Sequence, residues 1–145
     1  ESTAEEIAFF ENTNVQASNS MRRMIFGLRE TMTDREVVAL AGYDGLPLAA
    51  HMSCKTGPKR ISLASASGAK VERGHPWSAN VCYWGANICR AGWVASSHAD
   101  LPAPASDYAA AFAGPYYEAM AAWLESCLIS GDPIPGPARA LEPVA

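Results

Sequence analysis

His75 is the residue best placed to do chemistry, standing in a Gly74-His75-Pro76 loop beside an aromatic cluster. Imidazole titrates near neutral pH and can take and return a proton within one cycle. Loops held on a rigid scaffold are where such residues collect. Lys70, Glu72 and Arg73 precede it and could orient a carboxylate or polarise a carbonyl; a solvated charge cluster accounts for them equally well. His98 and Asp100, with Asp107 further on, form a second constellation. Nitrogen and oxygen donors of this kind suit Zn, Mn or Fe, although an exposed loop also explains the H-x-D spacing. Trp77, Tyr83, Trp84 and Trp93 are either core or the walls of a pocket for a small cation or a flat polar ring. Cys82 or Cys89 as a nucleophile would need a lowered pKa and a nearby base. His75 could serve as that base, but nothing local marks either cysteine as activated, so buried structural thiols are expected. His51 is a lesser candidate in an irregular segment. Neither a G-x-G-x-x-G nor a G-x-x-x-x-G-K phosphate loop is present.

These residues need a scaffold, and the stretch from Ile61 to His98 organises it. It carries three of the four tryptophans, two of the four cysteines and two of the three histidines. Gly and Pro recur through it, with β-branched and aromatic residues clustered between them, as in strands joined by working loops. Residues 2–28 read as a long helix opened by a capping box at Ser2/Glu5 or Thr3/Glu6. Its apolar stripe is Ile7, Phe10, Ala17, Met21, Met24 and Leu28, interrupted by Asn14. Thr33 with Glu36 opens a second, short helix to about Ala41, with Gly42 as its C′ residue. The segment from Tyr43 to Pro58 reads as an irregular connection. Strands are expected over Arg60–Ser67, Val81–Trp84 and Trp93–Ser97, with a charged loop from Ala69 to Trp77. Leu101-Pro102-Ala103-Pro104 is a stiff linker. A helix from Ser106 to about Cys127 should kink or restart at Gly114-Pro115, and bury Ala110, Phe112 or Ala113, Tyr117, Met120, Trp123 and Leu124. The last residues, 131–145, are Gly/Pro-rich without period and read as a flexible tail.

The 145 residues are enough for one domain with a core, and the formal net charge is −4. No basic block or basic helix face is visible, which makes nucleic acid an unsuitable partner. No run reaches membrane-spanning length and no secretory pattern appears. Reduced thiols and a cytoplasmic location are therefore expected, and without a C-x-x-C pair a zinc knuckle is not. The first residue is Glu1, which fits an origin inside a longer protein.

The order of the pieces resembles the first half of the catalytic domain of the creatinase/aminopeptidase P/methionine aminopeptidase family, the pita-bread fold. The likeness rests on the Ala4-Glu5-Glu6-Ile7-Ala8 start of the long helix and on Met32-Thr33-Asp34-Arg35-Glu36, similar to the family's G-x-T-E-x-E. It continues with Ser67-Gly68 followed by His75, and with Arg90-Ala91-Gly92-Trp93-Val94, similar to R-x-G-D-x-V with Trp for Asp. Tyr116, Tyr117, Met120 and Leu124 resemble the following helix, so the likeness covers about residues 2–128. Metal-dependent members carry D-x-G and a later Asp; the matching positions here fall near Ser97 and Tyr108, with Asp107 one residue out of register. The chain thus resembles the metal-independent branch, creatinase and the ectoine hydrolases, and its YWGANICRAGW run is most similar to the ectoine hydrolase side.

This resemblance implies an α+β half-domain, residues 1–130, with a small, mostly antiparallel sheet and long helices on one face. It implies hydrolysis of an amide or amidine C–N bond in a small solute, without metal, with His75 as general acid/base and Trp77, Tyr83, Trp84 and Trp93 against the substrate. The family's catalytic glutamates and second histidine belong to the other half of the fold, beyond this chain. A fragment, a truncated product or one half of a complementing pair is therefore expected, completed as a homo-oligomer or by the other half. A non-catalytic module acting only in association is the second expectation, and it predicts an exposed apolar face. A metal-dependent Xaa-Pro-type peptidase, using Mn, Co or Zn, would require His98, Asp100 and Asp107 to converge on one ion.

Overall fold

A computed structural model describes residues 2–58 and 63–130, with side chains through residue 126. The first helix, α1 (Ala4–Gly27), opens on a reciprocal capping box. Thr3 Oγ1 accepts the Glu6 N–H at 3.2 Å, and the Thr3 N–H donates to Glu6 Oε2 at 2.8 Å. Two N–H groups that the helix cannot pair itself are thereby satisfied. Helix α2 (Asp34–Ala39) repeats the device with Thr33 and Glu36, and Gly42 follows it with φ +63°.

The buried stripe of α1 is Thr13, Ala17, Ser20, Met21 and Met24. Ile7 and Phe10, expected to continue it, are 49% and 44% exposed. At the amino-terminal half of the helix, Phe9, Phe10 and Thr13 lie against Gly85, at the tip of a hairpin.

Three strands form an antiparallel sheet in the order β1 (Ser53–Thr56), β2 (Pro76–Tyr83), β3 (Ala86–Trp93). Helix α1 packs on β2 and β3, and α2 on β1. Met24, Val37, Cys54, Val71, Ala79, Val81 and Tyr83 fill the space between the layers. The observed class is therefore α+β with a small antiparallel sheet. Among the described residues no helix is long and apolar enough to cross a membrane.

The strand positions correct the sequence reading. Residues 53–56, read as irregular, are a strand because β2 supplies partners: Ser53 faces Asn80 and Thr56 faces Trp77. Residues 63–67 are not a strand, and 59–62 lie outside the described residues. The last strand is 86–93 rather than 93–97, since Trp84-Gly85 forms a two-residue turn and Tyr83 pairs with Ala86. Gly92 lies inside β3, where a Cβ would come within 3.4 Å of Trp77 Nε1.

The chain divides into two compact units, residues 1–100 and 101–145. In the second, a short π-helix (Ala109–Ala113) precedes α3 (Gly114–Ser130). The Gly114 N–H donates to the Ala109 carbonyl, five residues back. Pro115 offers no N–H, and its ring crowds the carbonyl four residues earlier, so the helix widens there. This is the interruption expected at Gly114-Pro115. The expected buried face is different: Phe112, Tyr117 and Leu124 are exposed, and Met120 and Trp123 are only half-buried. The 131–145 tail lies outside the described residues.

Candidate functional site

The loop carrying His75 is fixed by its backbone. The Gly74 N–H donates to the Val94 carbonyl at 2.7 Å, and the Val94 N–H donates to the His75 carbonyl at 2.9 Å. The His75 N–H donates to the Glu72 carbonyl at 3.2 Å. Gly74 has φ +79°, and a Cβ there would meet the Asp100 carbonyl at 3.1 Å, so glycine lets the loop seat against 98–100. Arg73 anchors both sides: its guanidinium pairs with Glu30 and stands 3.7 Å from Asp100 Oδ1.

The His75 side chain is 23% exposed, and Nδ1 stands 3.7 Å from Glu72 Oε2. That nitrogen is buried and has no hydrogen-bond partner. Buried polar atoms are nearly always paired, so an unpaired imidazole nitrogen is a departure that requires an explanation.

Next along the chain, Trp77 and Trp93 border a cleft of about 380 Å³. The end of α1 contributes Ile25, Leu28, Arg29 and Glu30, and the chain after β3 contributes Val94, Ala95 and Ser96. The cleft thus combines two indole rings with one positive and one negative side chain. Its volume matches small-ligand sites. The His75 imidazole is not part of the lining. Neither Arg29 nor Glu30 was singled out from sequence; they follow the helix end, where only its packing on the sheet brings them to the tryptophans.

Tyr83 and Trp84 lie elsewhere. Tyr83 is 2% exposed, with its hydroxyl 3.2 Å from Ser20 Oγ. Trp84 is 65% exposed on the hairpin turn. The structure therefore places Trp77 and Trp93 in one site and the other two outside it.

Asp100 is occupied locally. Its Oδ2 accepts the Ser96 and Ser97 N–H groups at 2.8 and 3.0 Å. The Ser96 bond, aided by Ser97 and the Arg73 charge and opposed by burial, holds its carboxyl below the usual range. Asp107 belongs to the second unit, and among the described residues no three His, Cys, Asp or Glu side chains gather as a metal site. His51 Nε2 is 2.9 Å from Ser65 Oγ on the surface. Cys54, Cys82 and Cys89 are free thiols. Burial, with the Asp34 charge adding to it, pushes the Cys54 thiol up to about 12, the opposite of activation. Cys89, exposed, is within reach of the side-chain oxygens of Asn80 and Asn87, at 3.2 and 3.6 Å.

Comparison with protein-family models, with curated proteins and with solved structures found no match.

Proposed function

We propose that this chain supplies half of the active site of a creatinase-like hydrolase of pita-bread type, cleaving an amide or amidine C–N bond in a small solute such as ectoine. His75 is its general acid/base. The observation that carries the reading is the buried, unpaired Nδ1 of an imidazole whose backbone is pinned by Glu72 and Val94. The buried Nδ1 lies 3.7 Å from Glu72 Oε2, and the partly exposed ring meets the reacting group through its other nitrogen in the assembled enzyme. The imidazole takes a proton from the attacking water or gives one to the leaving nitrogen. The developing oxyanion needs donors from the other half-domain.

The neighbouring cleft supports a small substrate with a planar cation. Indole faces attract such a group and Arg29 suits a carboxylate, while Glu30 is engaged by Arg73. On this reading no metal takes part in the reaction, and the enzyme works as an oligomer or together with its second half. The test is hydrolysis of ectoine-like and creatine-like solutes by the assembled protein, read as opening of a cyclic amidine to an amide-bearing amine and as release of urea and an amine from a guanidino solute. Turnover of these, and little of Xaa-Pro peptides, is the expected outcome. Preferential cleavage of Xaa-Pro peptides with dependence on added Mn would instead establish the peptidase reading.

A second reading is favoured by one observation. Val15 and Phe26 on one flank of α1 are 55% and 70% exposed, as expected for a module that works in association.

A further inference from the structure

We infer that Glu72 is a positioning residue for His75: its carboxylate keeps the ring proton on Nδ1, so that Nε2 is bare and free to take a proton from the attacking water. The inference deepens the hydrolase reading and rests on it for its consequence in turnover; the place of the ring proton is measurable without any substrate.

The pair is encoded by consecutive residues, Glu72-Arg73-Gly74-His75. They form a turn closed by the His75 N–H, which donates to the Glu72 carbonyl at 3.2 Å. Gly74, third in the turn, stands at φ +79°, the left-handed backbone that a type II turn requires at this position. Such a turn brings its first and last residues together, and Glu72 Oε2 accordingly stands 3.7 Å from His75 Nδ1. The ring's backbone is held from the other side, since Gly74 and His75 each share a hydrogen bond with Val94.

The other charges around the loop are engaged elsewhere. Arg73 pairs with Glu30 and stands 3.7 Å from Asp100 Oδ1, and Asp100 Oδ2 accepts the Ser96 and Ser97 N–H groups. Among the described residues, the Glu72 carboxylate has no partner besides His75.

A neutral imidazole carries its proton on one nitrogen, and the partner of either nitrogen decides which. With the proton on Nε2, a buried lone pair at Nδ1 would face the carboxylate, acceptor against acceptor. With the proton on Nδ1, an N–H faces a negative charge. Burial keeps solvent from Nδ1, so water does not make this choice. The gap must close by about 0.8 Å to reach an ordinary N–H···O distance of about 2.9 Å. Glu72, with its side chain 60% exposed, is free to rotate toward the ring, and hydrogen bonds between catalytic groups are often long before substrate binds. As water adds to the amide or amidine carbon, its proton passes to Nε2 and from there to the leaving nitrogen. The Glu72 carboxylate stabilises the imidazolium formed between these steps.

Long-range proton–nitrogen correlation spectra of the full chain, labelled with nitrogen-15 histidine and held at a pH where the rings are neutral, test this. His75→Ala assigns the His75 signals by their loss. The wild-type ring should be protonated on Nδ1 and bare on Nε2. Glu72→Ala should move the proton toward Nε2, and Glu72→Gln, whose amide oxygen still accepts a hydrogen bond, should keep it in place. In the assembled protein, Glu72→Ala should lower kcat about tenfold with KM little changed, a part of the about hundredfold to ten-thousandfold that His75 itself supplies. A wild-type ring protonated on Nε2 overturns the inference, as does a Glu72→Ala protein with the same tautomer or the same kcat. A proton on Nδ1 that Glu72→Ala displaces, in a protein that turns over none of the solutes, upholds the pairing and fails the hydrolase reading alone.

Discussion

Asp34 and Gly68 are joined by a 2.7 Å hydrogen bond in which the Gly68 N–H donates to a carboxylate with no exposed surface. The other oxygen, Oδ2, accepts the Ser67 N–H at 3.0 Å, and the Asp34 N–H donates to the Ala69 carbonyl at 2.9 Å. The start of α2 is thereby tied to the chain that leads into the His75 loop. Asp34→Ala leaves two backbone donors unpaired and should cost about 2–4 kcal/mol. Urea unfolding checks this; an unchanged midpoint would mean that solvent replaces the carboxylate.

Gly85 stands at φ +95°, and a Cβ there would lie 2.6 Å from Phe9 Cε1 and 3.2 Å from Thr13 Oγ1. The turn of the β2–β3 hairpin is thus seated directly on α1. Gly85→Ala combines a left-handed backbone with a displaced ring and should cost about 1–3 kcal/mol. Thermal unfolding reads the loss. No loss would show that the tip moves freely off the helix.

The thiols should differ sharply in reactivity. Cys54 is buried and its thiol is pushed up to about 12, whereas Cys89 is exposed. Brief maleimide treatment at neutral pH, followed by peptide mapping, should modify Cys89 in the native protein and Cys54 only after unfolding. Equal labelling of the two in the native state would contradict the core position of β1.

Both capping carboxylates set an acid limit. The Thr33 backbone N–H, then its hydroxyl, holds Glu36 below the usual carboxylate range, and the Ser96 N–H first does the same for Asp100. A group whose folded pKa is depressed stabilises the fold above its unfolded value, and that stability is lost as pH falls through the folded pKa. Unfolding midpoints should therefore be level near neutrality and drop below about pH 4. Asp100→Asn should flatten part of that drop; an identical pH profile would remove Asp100 from the account.

The local features were legible in sequence and the non-local ones were not. Both capping boxes are carried by residues three apart, so Thr3/Glu6 and Thr33/Glu36 announce their helices. The four residues of β1 have no pattern of their own, and only their register with β2 makes them a strand. Gly92 reads as a breaker until the Trp77 ring is seen across it. The site divides the same way. The glycine-bounded loop of His75 is legible locally, whereas the cleft that joins Trp77 and Trp93 to Arg29 and Glu30 is made by packing. Tyr83 and Trp84 are adjacent aromatics that no local signal separates; the hairpin turn sends one inward and the other to solvent.

The central claim is that His75 moves the proton in C–N bond cleavage. Its most direct test is turnover of ectoine-like and creatine-like solutes by the assembled protein, wild type against His75→Ala, with unfolding midpoints measured in parallel. The account predicts a loss of about a hundredfold to ten-thousandfold in kcat with the midpoint little changed. Turnover retained by a folded His75→Ala protein would contradict it.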